Sequence, residues 1–555
     1  MQTRILSITV LLLLALLSFS SPVSAEESIK PAPEFMDMLY SSRIGFSPEG
    51  VPLVALGLMH SQQEITFAGG QDIQVVYYWR GQRKLKLPQS DSFTVKIVRS
   101  KPAMLRYHVA VRYFRNGERK HVNDGLKEWS KRGYTPVALR TGTVFSLGGR
   151  VIDNQQYLIS LGEYENEREA QKLVRSVYER YGVKATLHET LLRLPEGELS
   201  LVDSSGVEIL RSEGVLTFKA VNPEGLLRVP RVLRGQGFKE RTGPGRYRGR
   251  LYVALDRNGT LALGNLADLE QLIRGTVGAE IFTSSPLEAL KAQAVAARGQ
   301  LLVKLGTRHF ADPYLLCTTQ HCQVYAGADA ETSRIDRAVM ETRGQFLFNG
   351  KELTNTLYSA IAGGYTESNE NVWPQPGVAA LRGRPDYPAT DRRFKNGVTE
   401  DKLDQFLDAP PAAYCSRTGY NEERFRWRRS FAASRFDELV NRRYKLGRVL
   451  DIKPTGRGVS GRLKGLKIVG ELDEVTVNKG LEIRRLLNNL PSTLVRIGIE
   501  RDGNSLPVSF IFDGAGWGHG VGMCQTGAIG RAKAGQEYAE ILRHYYSGAK
   551  IEKLY

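Results

Sequence analysis

Cysteine is scarce in this chain. Four residues, Cys317, Cys322, Cys415 and Cys524, occur in 555, far too few to staple a protein of this size, so its stability must come from buried apolar side chains. Long hydrophobic runs are also lacking beyond the first seventeen positions: no later stretch approaches the ~20 apolar residues of a membrane span. Low-complexity tracts and coiled-coil heptads are missing too, and acidic residues fall short of basic ones, 59 against 77. Composition is otherwise that of a folded globular protein, 41% hydrophobic and 25% charged. A chain of this length should divide into about three units.

The one apolar run, Ile5 to Leu17, follows Arg4 and precedes the small residues Val23-Ser24-Ala25. Residues 1–25 read as a secretory signal cleaved after Ala25, with a membrane role only if the segment is kept as an anchor. No cysteine lies beside the site to carry a lipid. The expected location is outside the cytoplasm, in the periplasm or envelope of a bacterium. The formal charge of +18 is concentrated: residues 411–470 hold 15 Lys and Arg against 5 Asp and Glu. Such a surface draws anionic polymers by its long-range field, and export favours an envelope polymer over nucleic acid. A solvated basic face is the plain alternative.

Short alternating runs punctuated by Gly and Pro fill residues 26–100 and predict a small β-rich unit. A duplication occupies 101–190. Tyr107-His-Val-Ala-Val-Arg-Tyr is echoed by Tyr157-Leu-Ile-Ser-Leu-Gly-Glu-Tyr, each followed by a charged helical segment, which predicts two tandem β-α-β units. Residues 191–555 form the third unit. There Asp256-Arg-Asn-Gly259 signals a hairpin turn, and helices are expected over 286–298, near 335–342 and over 536–545.

The helix starting near Pro286 carries a single acid at its mouth. Ser285-x-x-Glu288 fits a capping box, in which Glu288 only bonds back to the cap amide. Desolvation at a crowded mouth would instead raise the Glu288 pKa, while the helix dipole pushes it down. Downstream, six glycines between 514 and 527 hold Trp517, His519 and Gln525. Glycine lets backbone approach a ligand or a second strand closely. His309, Cys317, His321 and Cys322 lie within fourteen residues and supply a tetrahedral zinc set. Adjacent His321 and Cys322 could both ligate only from a loop. A Cys317–Cys322 disulfide and free thiols are the competing readings, and Cys524 and Cys415 form another potential pair.

Taken together, Pro286-Leu-Glu-Ala-Leu-Lys-Ala-Gln-Ala, Tyr358-Ser-Ala-Ile-Ala-Gly-Gly-Tyr-Thr-Glu367 and Gly516-Trp-Gly-His-Gly-Val-Gly-Met523 resemble, in order and spacing, the SpoIID/LytB family of cell-wall proteins. The likeness covers roughly residues 210–555. It implies an α+β, strand-rich domain and, on the SpoIID branch, a lytic transglycosylase. Such an enzyme cleaves peptidoglycan glycan strands stripped of stem peptides and leaves 1,6-anhydro-MurNAc ends. By the same resemblance Glu288 is the general acid/base. Gln293, Arg298, Tyr325, Ser359, Thr366, Glu367, Trp517, His519 and Gln525 are implied to line the glycan groove. A structural zinc is implied at the Cys/His cluster, and no catalytic cofactor is expected. The LytB branch implies a different role, a non-catalytic enhancer of a cell-wall amidase. Ala360 and Ala362 replace hydroxyl or thiol residues common in relatives, and Cys524 replaces a serine. Residues 101–190 resemble, more loosely, the SPOR repeat, a module that binds peptide-stripped glycan.

Overall fold

The computed structural model describes residues 32–68, 70–89, 92–236 and 239–555. The secretory signal expected at 1–25 lies outside the described residues. None of the described helices is long and apolar enough to cross a membrane.

Two facing sheets build the first half of the molecule, and each mixes strands from both sides of the duplicated segment. In the first, Pro52–Gln62 pairs with Leu261–Asp268, which continues through Arg250–Leu255 and Val215–Ala220 to Ile73–Tyr78 and Gln82–Leu87. In the second, Ser92–Lys101 lies between Glu64–Ala68 and Glu196–Asp203. Apolar side chains alternate inward and interdigitate: Phe67 and Phe218 meet at 4.3 Å between ring centroids. The expected hairpin turn forms, with Gly259 at φ 75° and the Asp256 carboxylate accepting from the Asn258 and Thr260 amides.

This pairing corrects the division of the chain at 100 and 191. Residues 26–100 are no separate unit, because their strands are hydrogen-bonded edge to edge with strands beyond 195. What is separate is the duplication itself. Met104–Arg115, helix α1 (Arg119–Lys131), Val137–Thr141, Gln156–Tyr164, helix α2 (Glu167–Tyr181) and Thr186–Arg193 make a four-stranded sheet with the order 186–193, 104–115, 156–164, 137–141. The two echoed strands pair directly, Tyr107 opposite Tyr164. Val109, Trp129, Ile159, Ala170 and Val177 give the insert its own core.

Helix α3 (Leu269–Glu280) follows, its first turn capped by Asp268, which accepts from the Gln271 amide at 2.9 Å. Helix α4 (Leu287–Lys304) comes next and is buried almost all round. Its alanines at 289, 292, 294, 296 and 297 leave room for α3, α5 (Ser333–Glu341), α6 (Gln525–Lys533) and α7 (Tyr538–Tyr545) to pack closely. Asn154 of the insert ends α4 by donating to the carbonyls of Leu302, Val303 and Leu305. A further strand-rich region between Arg426 and Ala515 has a core of its own around Phe436, Phe510 and Phe512. The basic run there is partly internal. Arg426 donates to the carbonyls of Gly363, Phe406 and Leu407, whereas Arg428 and Arg429 are exposed. The whole is mixed and strand-rich, compatible with the α+β expectation.

Candidate active site

The mouth of α4 forms without the capping box. Pro286 is extended (φ −52°, ψ 145°) and occupies the cap position itself, so helical geometry starts at Leu287. Ser285 is buried with its hydroxyl unpartnered among the described residues. Glu288 turns away instead. One carboxylate oxygen takes the Lys291 ammonium at 2.7 Å and the other takes the Tyr538 amide at 2.9 Å. Lys291 is shared with Glu341 at 2.6 Å. Both carboxylate oxygens of Glu288 are thus engaged by partners within the protein.

Five residues further along α4, about 140° around the axis at 3.6 residues per turn, Gln293 faces a different cluster. Its Oε1 accepts from Gln525 Nε2 at 3.3 Å, and the same Nε2 donates to the Glu280 carbonyl at 2.8 Å. Glu280 is the last residue of α3 and half-buried. Burial pushes its carboxyl up to about 7, against hydrogen bonds from the Val324 amide (3.2 Å) and from Tyr358, and against the charge of Lys304. Tyr358 also receives Gln323 Nε2 at 2.7 Å. Beside Glu280, Gln293 Nε2 and Gln323 Oε1 are buried without a partner among the described residues, as is Ser359 Oγ on the neighbouring segment. Unpaired buried polar atoms are costly and mark places where a ligand can supply the missing bonds.

The glycine string supplies the far wall. Gly516, Gly518, Gly520 and Gly522 all have φ between 72° and 105°. A Cβ on Gly516 would lie 2.6 Å from the Ile361 carbonyl, and one on Gly522 2.0 Å from that of Leu357. Both the left-handed backbone and the close approach therefore require glycine. The string is bonded to the Tyr358 segment through Trp517 N–H to Ile361 O at 2.8 Å and its reciprocal at 3.0 Å. Trp427 fixes it from behind, donating to the Gly516 carbonyl at 2.8 Å. Trp517 is half-buried beneath the Arg424 guanidinium, 4.6 Å from its ring. His519 packs on Trp373 at 5.0 Å and accepts the Val521 amide on Nδ1. Burial and the Arg484 and Arg462 charges push it down to about 3, so the ring is neutral.

The predicted groove residues therefore separate. Gln293 and Gln525 meet beside Glu280, whereas Ser359, Trp517 and His519 lie along the glycine-rich string and the Tyr358 segment it pairs with. Arg298 does not: it is fully buried, forked onto Glu270 at 2.9 and 2.6 Å, and bonded to Thr342 and the Val339 carbonyl. Tyr325 is buried with its hydroxyl on Asn265 at 2.9 Å. Thr366 exchanges bonds with the Arg384 backbone. Glu367 is sealed off from solvent, accepting from Ser460, Asn371 and the Ser368 amide. All four act as supports rather than walls, because their polar atoms are already used inside. Glu280 is not among the residues singled out from the sequence. Its one signal is position, since an acid at a helix C-terminus faces the negative end of the dipole and needs a reason to be there.

The second cluster assembles as the spacing requires. The ligand atoms of His309, Cys317, His321 and Cys322 lie within 4.8 Å of one another. Sγ of Cys317 and of Cys322 are each 3.6 Å from His321 Nδ1, and Cys322 Sγ is 3.4 Å from His309 Nε2. Both thiols are free. A turn, with the Cys322 amide bonded to the Thr319 carbonyl, lets the adjacent His321 and Cys322 aim at one point. Asp312 holds His309 Nδ1 at 2.9 Å, the outer carboxylate typical of a metal-bound imidazole. Two sulfurs and two nitrogens with that support fit a closed zinc site. Cys317 is also tied to the first sheet, where Leu316–Cys317 pairs in parallel with Leu56–Gly57.

Known proteins share this region. The family described as "Stage II sporulation protein" matches residues 257–348, which span α3, α4 and the Cys/His cluster. A domain of unknown function (DUF8618) matches residues 367–522. An uncharacterized protein of Brachyspira hyodysenteriae is 28% identical over 295 residues, 53% of this chain and 69% of that protein. An amidase enhancer of Bacillus subtilis is 27% identical over 295 residues, 50% of this chain and 40% of the enhancer. Stage II sporulation protein D of the same organism is 25% identical over 299 residues, 51% of this chain and 74% of its own length.

Proposed function

We propose that this chain, a SpoIID/LytB family protein, is an exported peptidoglycan lytic transglycosylase whose general acid/base is Glu280. The relatives support a role connected with the cell wall. The observation that carries the finer reading is the Glu280 carboxyl itself: half-buried, raised to about 7, and set beside the side-chain amides of Gln293 and Gln323, which have unused hydrogen-bonding capacity. An acid/base working near neutrality needs such a pKa. A hydrolase would need a second carboxylate to activate water or to act as nucleophile. Here the sugar's own 6-hydroxyl attacks, so one carboxyl suffices. Glu280 gives its proton to the glycosidic oxygen and then takes the proton of that hydroxyl as the 1,6-anhydro ring closes. Gln293 and Gln525 hold the glycan, and Trp517 offers an aromatic wall.

Glu288 keeps a different task in this reading. Through Lys291 and the Tyr538 amide it ties the mouth of α4 to α7 and so positions the helix that presents Gln293. Zinc, held by His309, Cys317, His321 and Cys322, pins the loop after α4. The site has no open ligand position, and we assign it no step in the reaction.

A second reading, enhancement of a cell-wall amidase without catalysis, is favoured by the amidase enhancer among the relatives. Mass spectrometry of peptide-stripped glycan strands incubated with the exported chain separates the two. Anhydro-ended fragments that vanish with Glu280→Gln are expected. Reducing-end products would indicate a hydrolase, and intact binding without any cleavage would favour the enhancer.

A further inference from the structure

Away from the zinc cluster, the two remaining cysteines meet in the core. Cys415 and Cys524 are both fully buried, and their sulfurs lie with an Asp386 carboxylate oxygen in a group no wider than 4.8 Å. The thiols are in hydrogen-bonding contact. Cys524 Sγ also accepts the Ala362 and Gly527 amides, both at 3.1 Å, and thereby caps α6. The two residues stand more than a hundred positions apart in the chain, so their meeting is imposed by the fold.

Each belongs to a segment that matters to the candidate site. Gln525, next after Cys524, holds the Glu280 carbonyl and Gln293. Cys415 roots the loop that carries Tyr420 and Arg424. Tyr420 stacks on Phe282, two residues beyond Glu280, at 4.8 Å, and Arg424 covers Trp517. Tyr414 fastens the root of this loop, its amide on the Asp386 carbonyl at 2.9 Å.

We infer that Cys415 and Cys524 are a disulfide pair, whose bond joins the loop over the site to the Gln525 end of α6. The inference rests on the export proposed above, since an oxidising compartment is where such a bond persists. In forming it, each thiol gives up one proton and one electron, and a single S–S bond of about 2 Å replaces two S–H bonds. A disulfide of that compartment, on a protein or a small molecule, takes up both electrons and both protons and leaves as two thiols. A metal bound by Asp386, Cys415 and Cys524 is disfavoured. Asp386 Oδ2 is unpartnered among the described residues, but Oδ1 accepts from the Arg531 guanidinium at 3.2 Å and the Tyr545 hydroxyl at 2.8 Å, so a metal ion there would lie beside a buried cation.

The test starts from the full chain secreted into an oxidising compartment and purified without reductant. It is unfolded in a thiol-alkylating reagent and its intact mass and peptide map are measured. Alkylation of Cys317 and Cys322 alone is expected, with a linked pair of peptides carrying Cys415 and Cys524 that separates on reduction. Any other pairing, or a metal released by Cys415→Ala, would overturn the inference. Cys524→Ser keeps an acceptor for both amides and should fold. Its melting temperature should ignore reductant, whereas the parent should lose roughly 5 °C or more. A parallel arm treats reduced protein with oxidised glutathione. The bond forming only there would uphold the pair and count against export, and failure in both arms would sink the pair itself.

Discussion

The side-chain amide of Gln525 donates to the backbone carbonyl of Glu280 at 2.8 Å, joining the start of one helix to the end of another 245 residues earlier. That bond places the glycine-rich string and the acid of α3 on one site, and most of what can be tested follows from it.

The first expectation contrasts two acids. Glu280→Gln should lower the cleavage rate by about 10²–10⁴-fold, the usual range for a lost acid/base, with glycan binding kept. Glu288→Gln loses a partly exposed ion pair and should cost at most about 1 kcal/mol of stability, with activity within tenfold of the parent. Denaturant melts and product analysis on both variants check this. The reverse pattern would return the acid/base role to Glu288.

The pH dependence has a definite sign. The folded Glu280 carboxyl at about 7 lies above its ordinary value of 4.5, so folding favours the protonated form. Its penalty is absent below about 4.5, grows as pH rises toward 7, and is constant above. The melting temperature of Glu280→Gln should therefore gain on the parent across that window and run parallel outside it. Cleavage, which needs the proton, should decline as pH passes through about 7.

Removing metal probes the second cluster. The chain should carry one zinc, and chelation or Cys322→Ser should lower the melting temperature. Asp312→Asn should weaken zinc binding by about 10–100-fold, the usual effect of losing an outer carboxylate. Elemental analysis against a chelator series measures both. Full stability without zinc would remove its structural role.

Arg298 offers a test of burial against binding. Arg298→Ala strands the Glu270 carboxylate in the core and should destabilise the fold by about 3–5 kcal/mol. Arg298→Met combined with Glu270→Leu should recover much of that loss. Neither should change glycan affinity in the protein that remains folded. A selective rise in KM would restore Arg298 to the groove.

Much of this was readable from residue order alone, and the failures have physical causes. The duplication around Tyr107 and Tyr157 showed as a repeat because each half spells out the same strand and charged helix, and the Cys/His set showed because its loop is local. The motifs also named Gln293 and Gln525, which meet in the fold. The setting of Glu288 was not legible: whether an acid at a helix mouth faces a groove, a cap or a lysine depends on neighbours such as Tyr538, far along the chain. Glu280 stayed hidden because its pKa is set by burial beneath Tyr358 and Val324, which no spacing reveals. The boundaries at 100 and 191 failed because strand pairing is blind to sequence distance.

That same pairing bears on how the molecule assembles. Strand Pro52–Gln62 must wait some two hundred residues for its partner Leu261–Asp268, a long contact of the kind that slows folding. The insert between them is different. It has its own core, and its two ends lead directly into Ser92–Lys101 and Glu196–Asp203, which pair with Lys101 opposite Glu196. Once the insert closes, those ends are already side by side, and the effective loop shrinks from about a hundred residues to a turn. The duplicated segment thus serves as a folding clamp for the sheets from which helices α3 and α4 lead.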